Sequence, residues 1–281
     1  MANFAIEYVS RYQPCYMLRD NNITCVVWCE DAIAHYGVPT VVFSLYLLVP
    51  NIDQAAEVLV QGGWHLEDKT QTKFGNAPLR SAHHHLTPAV DAARKTPTWS
   101  PGMGPPPPPS KEPPGPTTTI LLPASEWNYT FPETSSQNFI PPLPTLLDGL
   151  IDKLLDDPLT ETMFWNQLAI LIAYLYGYVP AIKQKTFAEE LKYDHRQFHY
   201  DCLSGMSTGL PFIRHERKIR EALRNGTYQL CDCSADRNDE SLFTAKAEAR
   251  LIASTSSPFS TDIYEAKKNK DQKLECKGSY Q

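Results

Sequence analysis

His195 and His199 lie four residues apart in the run Tyr193 to Cys202. On a helix that spacing puts both imidazoles on one face, where they can hold a metal ion. Asp194 and Asp201 flank them. A zinc-protease helix needs a glutamate directly after the first histidine as general base, and Arg196 stands there instead. The pair therefore reads as structural, bonded to carboxylates of neighbouring helices. His83, His84 and His85 run together and read as a loop. Cys25 and Cys29 share a helical spacing, while Cys231 and Cys233 are separated by a single residue, too close for the usual zinc pair. Buried free thiols are the expectation for these cysteines. No Cys, His and Asp arrangement forms a nucleophilic triad. Arg214, Arg217, Lys218, Arg220 and Arg224, with His215, make a basic helix able to meet a phosphate or an acidic partner. Its plainer reading is a solvated face paired with Glu216 and Glu221. None of these groups is assigned a catalytic role, and no metal ligands are assigned.

The stretch from Ile23 to Trp64 positions the rest. Asp31 to Tyr36 precede Gly37, where a left-handed residue stops a helix. Val41 to Val49 is rich in β-branched and aromatic residues and too short for a buried helix, so it reads as a strand. Asn51 then caps a helix whose apolar positions Ile52, Ala55, Ala56, Leu59 and Val60 form one stripe ending at Gly62-Gly63-Trp64. Ile23 to Trp28 reads equally as a short strand or as the first turn of the helix that follows.

Helix, small-residue turn, strand and helix, with the strand ending in an apolar run, resemble the start of the nucleotidyltransferase superfamily core, in its antitoxin-like and kanamycin-nucleotidyltransferase-like branches. The resemblance covers about forty residues, and a fainter one to fungal proteins extends over most of the chain. It implies a Gly-rich turn followed by two carboxylates at alternate strand positions, where they share a face and hold Mg²⁺ against a nucleoside triphosphate. In this chain the turn is Gly37-Val38-Pro39-Thr40, and the carboxylate positions hold Ser44 and Tyr46. A hydroxyl and a phenol can hydrogen-bond a ligand but supply no charge for divalent ions. The expected ligand-binding residues are thus Gly37, Thr40, Ser44 and Tyr46. The expected function is a catalytically degenerate member of that fold with a binding or scaffold role and no cofactor. The alternative is an active Mg²⁺-dependent nucleotidyl- or adenylyltransferase using a nucleoside triphosphate, its carboxylates drawn from Glu30, Asp31, Asp53 and Glu126.

The expected fold class is α/β (α+β): a small mixed sheet with flanking helices, followed by a helical half. Residues 1–96 form the α/β core, with residues 1–20 an extended lead-in and a strand pair near Trp64 to Leu79. From Pro97 to Pro116 ten of twenty residues are proline. Proline lacks the amide donor and favours polyproline II, so this is an exposed insertion and a possible ligand for an aromatic-lined groove on a partner. That gives a third reading, a proline-tract adaptor. Residues 117–254 carry a returning strand, Thr117 to Leu122, and then helices. These are Thr145 to Asp157, the nearly all-apolar and buried Met163 to Val179 capped by Thr160, Phe187 to Cys202, Arg214 to Arg224 and Leu242 to Ser254. Tyr228 to Cys233 reads as a strand, and residues 255–281 as a Ser- and Lys-rich disordered tail.

The chain has 281 residues and a formal net charge of -6. That charge argues against general nucleic-acid binding, which needs a concentrated positive surface. The amino terminus lacks a basic start followed by an apolar core, and seven cysteines is an odd number. Together they indicate a reducing cytoplasmic or nuclear compartment. Met163 to Val179 is short for a membrane span and contains Asn166 and Gln167, so no membrane association is expected.

Overall fold

A computed structural model describes residues 11–67, 72–74, 77–79, 81–88, 116–132, 138–156, 163–184, 186–206 and 210–233. Residues 1–10, the proline-rich stretch up to 115, the Thr160 cap, the helix at 242–254 and the tail lie outside them. The chain divides into two compact units, one ending at Gly149 and one starting at Leu150.

Unit one is a mixed α/β layer. It opens with a helix, α1 (Gln13–Asp20), where an extended lead-in is expected from the sequence. Pro14 sits in its first turn, where a missing amide costs nothing and a fixed φ helps. Cys15 and Leu18, on one side of α1, are fully buried. A strand, β1 (Val26–Trp28), leads through Cys29 at φ +57° into α2 (Cys29–His35). Gly37, at φ +93°, ends that helix as its position predicts. Next come β2 (Leu45–Val49) and α3 (Ile52–Gln61), the latter capped by Asn51, whose Oδ1 accepts from the amides of Asp53 and Gln54 at 3.0 and 3.1 Å.

The strand expected from Val41 pairs only from Leu45. Its neighbours set that limit: Leu45 already faces Thr119 on one side, and Trp28, the last residue of β1, faces Tyr46 on the other. Val41 and Phe43 lie beyond both partners and are exposed.

Short strands complete the unit: β3 (His65–Leu66), β4 (Lys73–Phe74), β5 (Ala77–Pro78), β6 (His84–Thr87) and β7 (Thr119–Pro123). The main sheet runs β1-β2-β7-β6-β3, with β2 and β7 parallel and the other pairs antiparallel. The returning strand β7 joins it as expected, beside β2. The strand pair expected between Trp64 and Leu79 divides: β3 forms a sheet edge, while β4 and β5 make a separate two-stranded ribbon. His84 and His85 belong to β6 rather than to a loop.

The sheet has two covered faces, set by its two-residue period. Val27, Leu45, Leu47, Val49, Leu86 and Leu121 form one core with α1 and α3. Trp28, Tyr46 and Ile120, paired across adjacent strands, belong to the other face. There Trp28 packs edge-on against Trp127 and Tyr129, with ring centroids 5.7 and 5.6 Å apart.

The division between the units falls inside α4 (Leu143–Asp156). Unit two is helical: the second half of α4, α5 (Met163–Tyr178), α6 (Phe187–Glu190), α7 (Arg196–Leu203) and α8 (Leu210–Arg224). The apolar helix α5 is not buried all round: Leu168, Leu171, Ile172 and Leu175 are inside, while Met163, Tyr174 and Tyr178 are exposed. The single helix expected over Phe187 to Cys202 breaks at Leu191, which is extended, and resumes after a 3₁₀ turn at Tyr193–His195. That break lets Lys192 and His195 both reach Asp152 of α4, at 2.6 and 3.0 Å. The strand expected at Tyr228 to Cys233 does not form. The Gln197 amide holds this segment instead, donating to the Cys231 carbonyl at 3.0 Å and accepting from its amide at 2.8 Å. Among the described residues no helix is long and apolar enough to cross a membrane.

Candidate functional site

The four residues expected to bind a ligand sit in two environments. Gly37 and Thr40 belong to the connection between α2 and β2, where the Thr40 hydroxyl donates to the Val41 carbonyl at 3.5 Å. Ser44 is half-buried, one residue before the ladder begins. Tyr46 lies inside unit one, its hydroxyl donating to the Lys73 carbonyl at 2.9 Å and its ring edge-on to Phe74. Burial, and then the neighbouring Cys29 and Glu30, push the Tyr46 phenol far above its ordinary pKa, so it stays protonated. It anchors the β4–β5 ribbon to the sheet. No hydrogen bond joins any two of the Thr40, Ser44 and Tyr46 side chains.

The four carboxylates of the alternative reading are dispersed. Asp31 accepts both forks of the Arg11 guanidinium, at 2.5 and 2.8 Å, in a buried pair. Asp53, on α3, is 81% exposed and its Oδ1 meets Nε2 of His84 at 2.6 Å. Glu126 accepts from the amide of Ala82 at 3.4 Å. Glu30 is buried, with its Oε2 lacking a hydrogen-bond partner among the described residues. Magnesium asks for charged oxygens converging in near-octahedral geometry. Asp31 has both oxygens committed to a cation, and Asp53 lies on α3, which packs on the face opposite Tyr46. Among the described residues no group of three or more His, Cys, Asp or Glu side chains is arranged to hold a metal ion. This donor set does not fit the two-metal chemistry of the resembled family.

Glu30 is an acid whose chemistry the fold alters strongly. It sits at the start of α2, directly after Cys29, whose left-handed φ turns the chain sharply from strand into helix. Burial raises its pKa to about 7, with a further rise from Asp31, against the lowering effects of its own backbone amide and Arg11. The Cys29 thiol is pushed well up by burial and then by Glu30 and Asp31. A thiol held protonated is a poor nucleophile. Cys29 and Tyr46 keep their protons, while Glu30 gives its proton up only as pH passes about 7.

Unit two carries a polar layer that the sequence marked only in part. Asp152 is its hub, meeting Lys192, His195 and Arg220. Burial raises its pKa, but the hydrogen bonds and charges of His195 and Lys192 outweigh that and bring it down to about 2. The signal lay in α4: Asp148 and Asp152 are one turn apart within a leucine stripe, polar residues at core positions. His195 thus finds the carboxylate expected of it, whereas His199 meets the Tyr176 hydroxyl at 2.9 Å, and burial lowers its pKa to about 4.

The basic helix α8 is a solvated face only in part: Arg214, Glu221 and Arg224 are exposed, but other cations of the helix turn inward. Arg220 is buried against Asp152 and Asp156, Arg217 donates to the Leu154 carbonyl, and Arg224 pairs with Asp194. Glu216 is buried too and faces Asp201 of α7, both inside the unit. Asp201 Oδ1 also takes the Gln197 amide at 2.9 Å and the Cys233 thiol at 3.1 Å. The six described cysteines are free thiols. Cys25, Cys29 and Cys233 are buried as expected, whereas Cys231 is partly exposed; Cys15 is also buried and Cys202 partly exposed.

No family model, no curated protein and no solved structure matches the chain.

Proposed function

We propose that this chain is a nucleotidyltransferase-like protein of fungal type that has lost its metal-dependent chemistry and acts by binding, as a scaffold, in the cytoplasm or nucleus. The observation that carries the reading is the fate of Tyr46. The strand position that would present a metal carboxylate holds a buried phenol, spent on the Lys73 carbonyl and on Phe74. Support comes from the dispersal of Glu30, Asp31, Asp53 and Glu126, two of which are bonded to Arg11 and His84. The protein is assayed for Mg²⁺-dependent release of pyrophosphate from each of the four nucleoside triphosphates. No release above background is expected. Release that disappears with Glu30→Gln or Glu126→Gln would overturn the reading in favour of an active transferase.

The proline-rich stretch is the proposed protein-binding element, and general nucleic-acid binding is not part of the function. Deleting residues 97–116 should remove specific proteins from those that co-purify with the chain. An unchanged set would remove the adaptor role.

A further inference from the structure

On the face of unit one opposite Tyr46, α3 and the outer margin of the sheet bound an open cleft of about 420 Å³, lined by Asp53, Ala56, Glu57, Val60, Leu66 and His84, among others. The helix contributes positions 53, 56, 57 and 60, one stripe at helical spacing. Leu66 faces Leu86 across the β3–β6 ladder, and His84 is two residues from Leu86, so all three point to the α3 side. Leu86 enters the core, while Leu66 and Val60 stay about half exposed, at 49% and 44%. The rim is acidic. His84 pins Oδ1 of Asp53, and no cation among the described residues pairs with Glu57.

An apolar floor beside two carboxylates selects for one kind of occupant. A lysine or arginine side chain lays its hydrocarbon stem on apolar surface and keeps its charged head at a polar rim. An apolar neighbour on the same segment removes Val60 and Leu66 from water, which favours binding in proportion to the apolar area covered. An acidic or uncharged polar segment gains neither, and the like charge of an acidic one is repelled.

We propose that this cleft docks a segment of a partner protein that presents an arginine or lysine beside an apolar side chain, the cation meeting Asp53 and Glu57 and the apolar group resting on Val60 and Leu66. The site is separate from the Tyr46 side of the sheet and does not depend on whether that side binds nucleotides. The test uses the full chain and three fluorescein-labelled twelve-residue peptides with alternating Leu-Arg, Ser-Arg or Leu-Glu, read by fluorescence anisotropy. The Leu-Arg peptide should bind at least about tenfold more tightly than the other two. Its affinity should fall about tenfold in Asp53→Asn/Glu57→Gln and in Val60→Ser/Leu66→Ser, both with the melting temperature of the parent. Equal binding of the Ser-Arg peptide would reduce the effect to bulk charge and overturn the proposal. So would absence of binding, affinity unmoved by both double variants, or binding that emerges only after removal of residues 97–116, which would make the chain itself the occupant.

Discussion

Between pH 4.5 and about 7 the folded chain holds on Glu30 a proton that the unfolded chain gives up. A carboxyl raised on folding contributes stability that is complete below its unfolded pKa and is lost as pH climbs through the folded value. The total for Glu30 is about 3 kcal/mol. Glu30→Gln should therefore be more stable than the parent at pH 8 by up to about 3 kcal/mol and equal to it near pH 4, measured by urea unfolding. A parent whose advantage persists at pH 8 would contradict the burial assigned to this side chain. Glu216 obeys the same sign: burial, then the charge of and hydrogen bond to Asp201, raise it well above its ordinary value. Glu216→Gln should flatten the loss of stability on the alkaline side, keeping a donor for Asp201 without a charge to bury. Asp152 has the opposite character, because its charge is balanced by His195 and Arg220 in a buried network. Asp152→Ala removes the carboxylate that His195 and Lys192 meet and leaves Arg220 only Asp156, and should cost about 3–5 kcal/mol in the same measurement.

At the scale of elements, two substitutions test the packing logic of unit one. Asn51→Ala removes the acceptor for two amides at the start of α3 and should cost about 1 kcal/mol. Gly149→Ala would place a methyl 2.9 Å from the Trp28 ring. That ring is held edge-on by Trp127 and Tyr129 and has no room to yield, so a cost of about 1–3 kcal/mol is expected from thermal unfolding. A neutral Gly149→Ala would show the face to be looser than its geometry. These elements also show what a sequence discloses. Asn51 followed by an apolar stripe, the Thr-Thr-Thr-Ile-Leu-Leu run at β7 and the leucine stripe of α4 each state their own structure locally. The extent of β2 does not, because strand length is set by where β1 and β7 end rather than by the nine strand-like residues at Val41 to Val49. The break at Leu191 and the tether of Cys231 to Gln197 were equally hidden, since both serve side chains far away in the chain. His84 and His85 looked like a loop because three successive histidines mask the alternation that places Leu86 in the core.

For the whole molecule, a mixed sheet with flanking helices and a separate helical half agrees with the architecture expected from residue patterns. The candidate site was legible only as a list of residue types. That Ser44 and Tyr46 are not carboxylates can be read directly; that Tyr46 is spent on the Lys73 carbonyl, and that Asp31 is locked by Arg11, depends on contacts between distant segments. The central claim is that this layer has no Mg²⁺-dependent nucleotide site. Its most direct test is the melting temperature of the full chain with each nucleoside triphosphate, with Mg²⁺ and with a chelator, because a ligand bound to the native state raises that temperature by mass action. No Mg²⁺-dependent rise is expected with any of the four. A rise that needs Mg²⁺ and vanishes with the chelator would contradict the account.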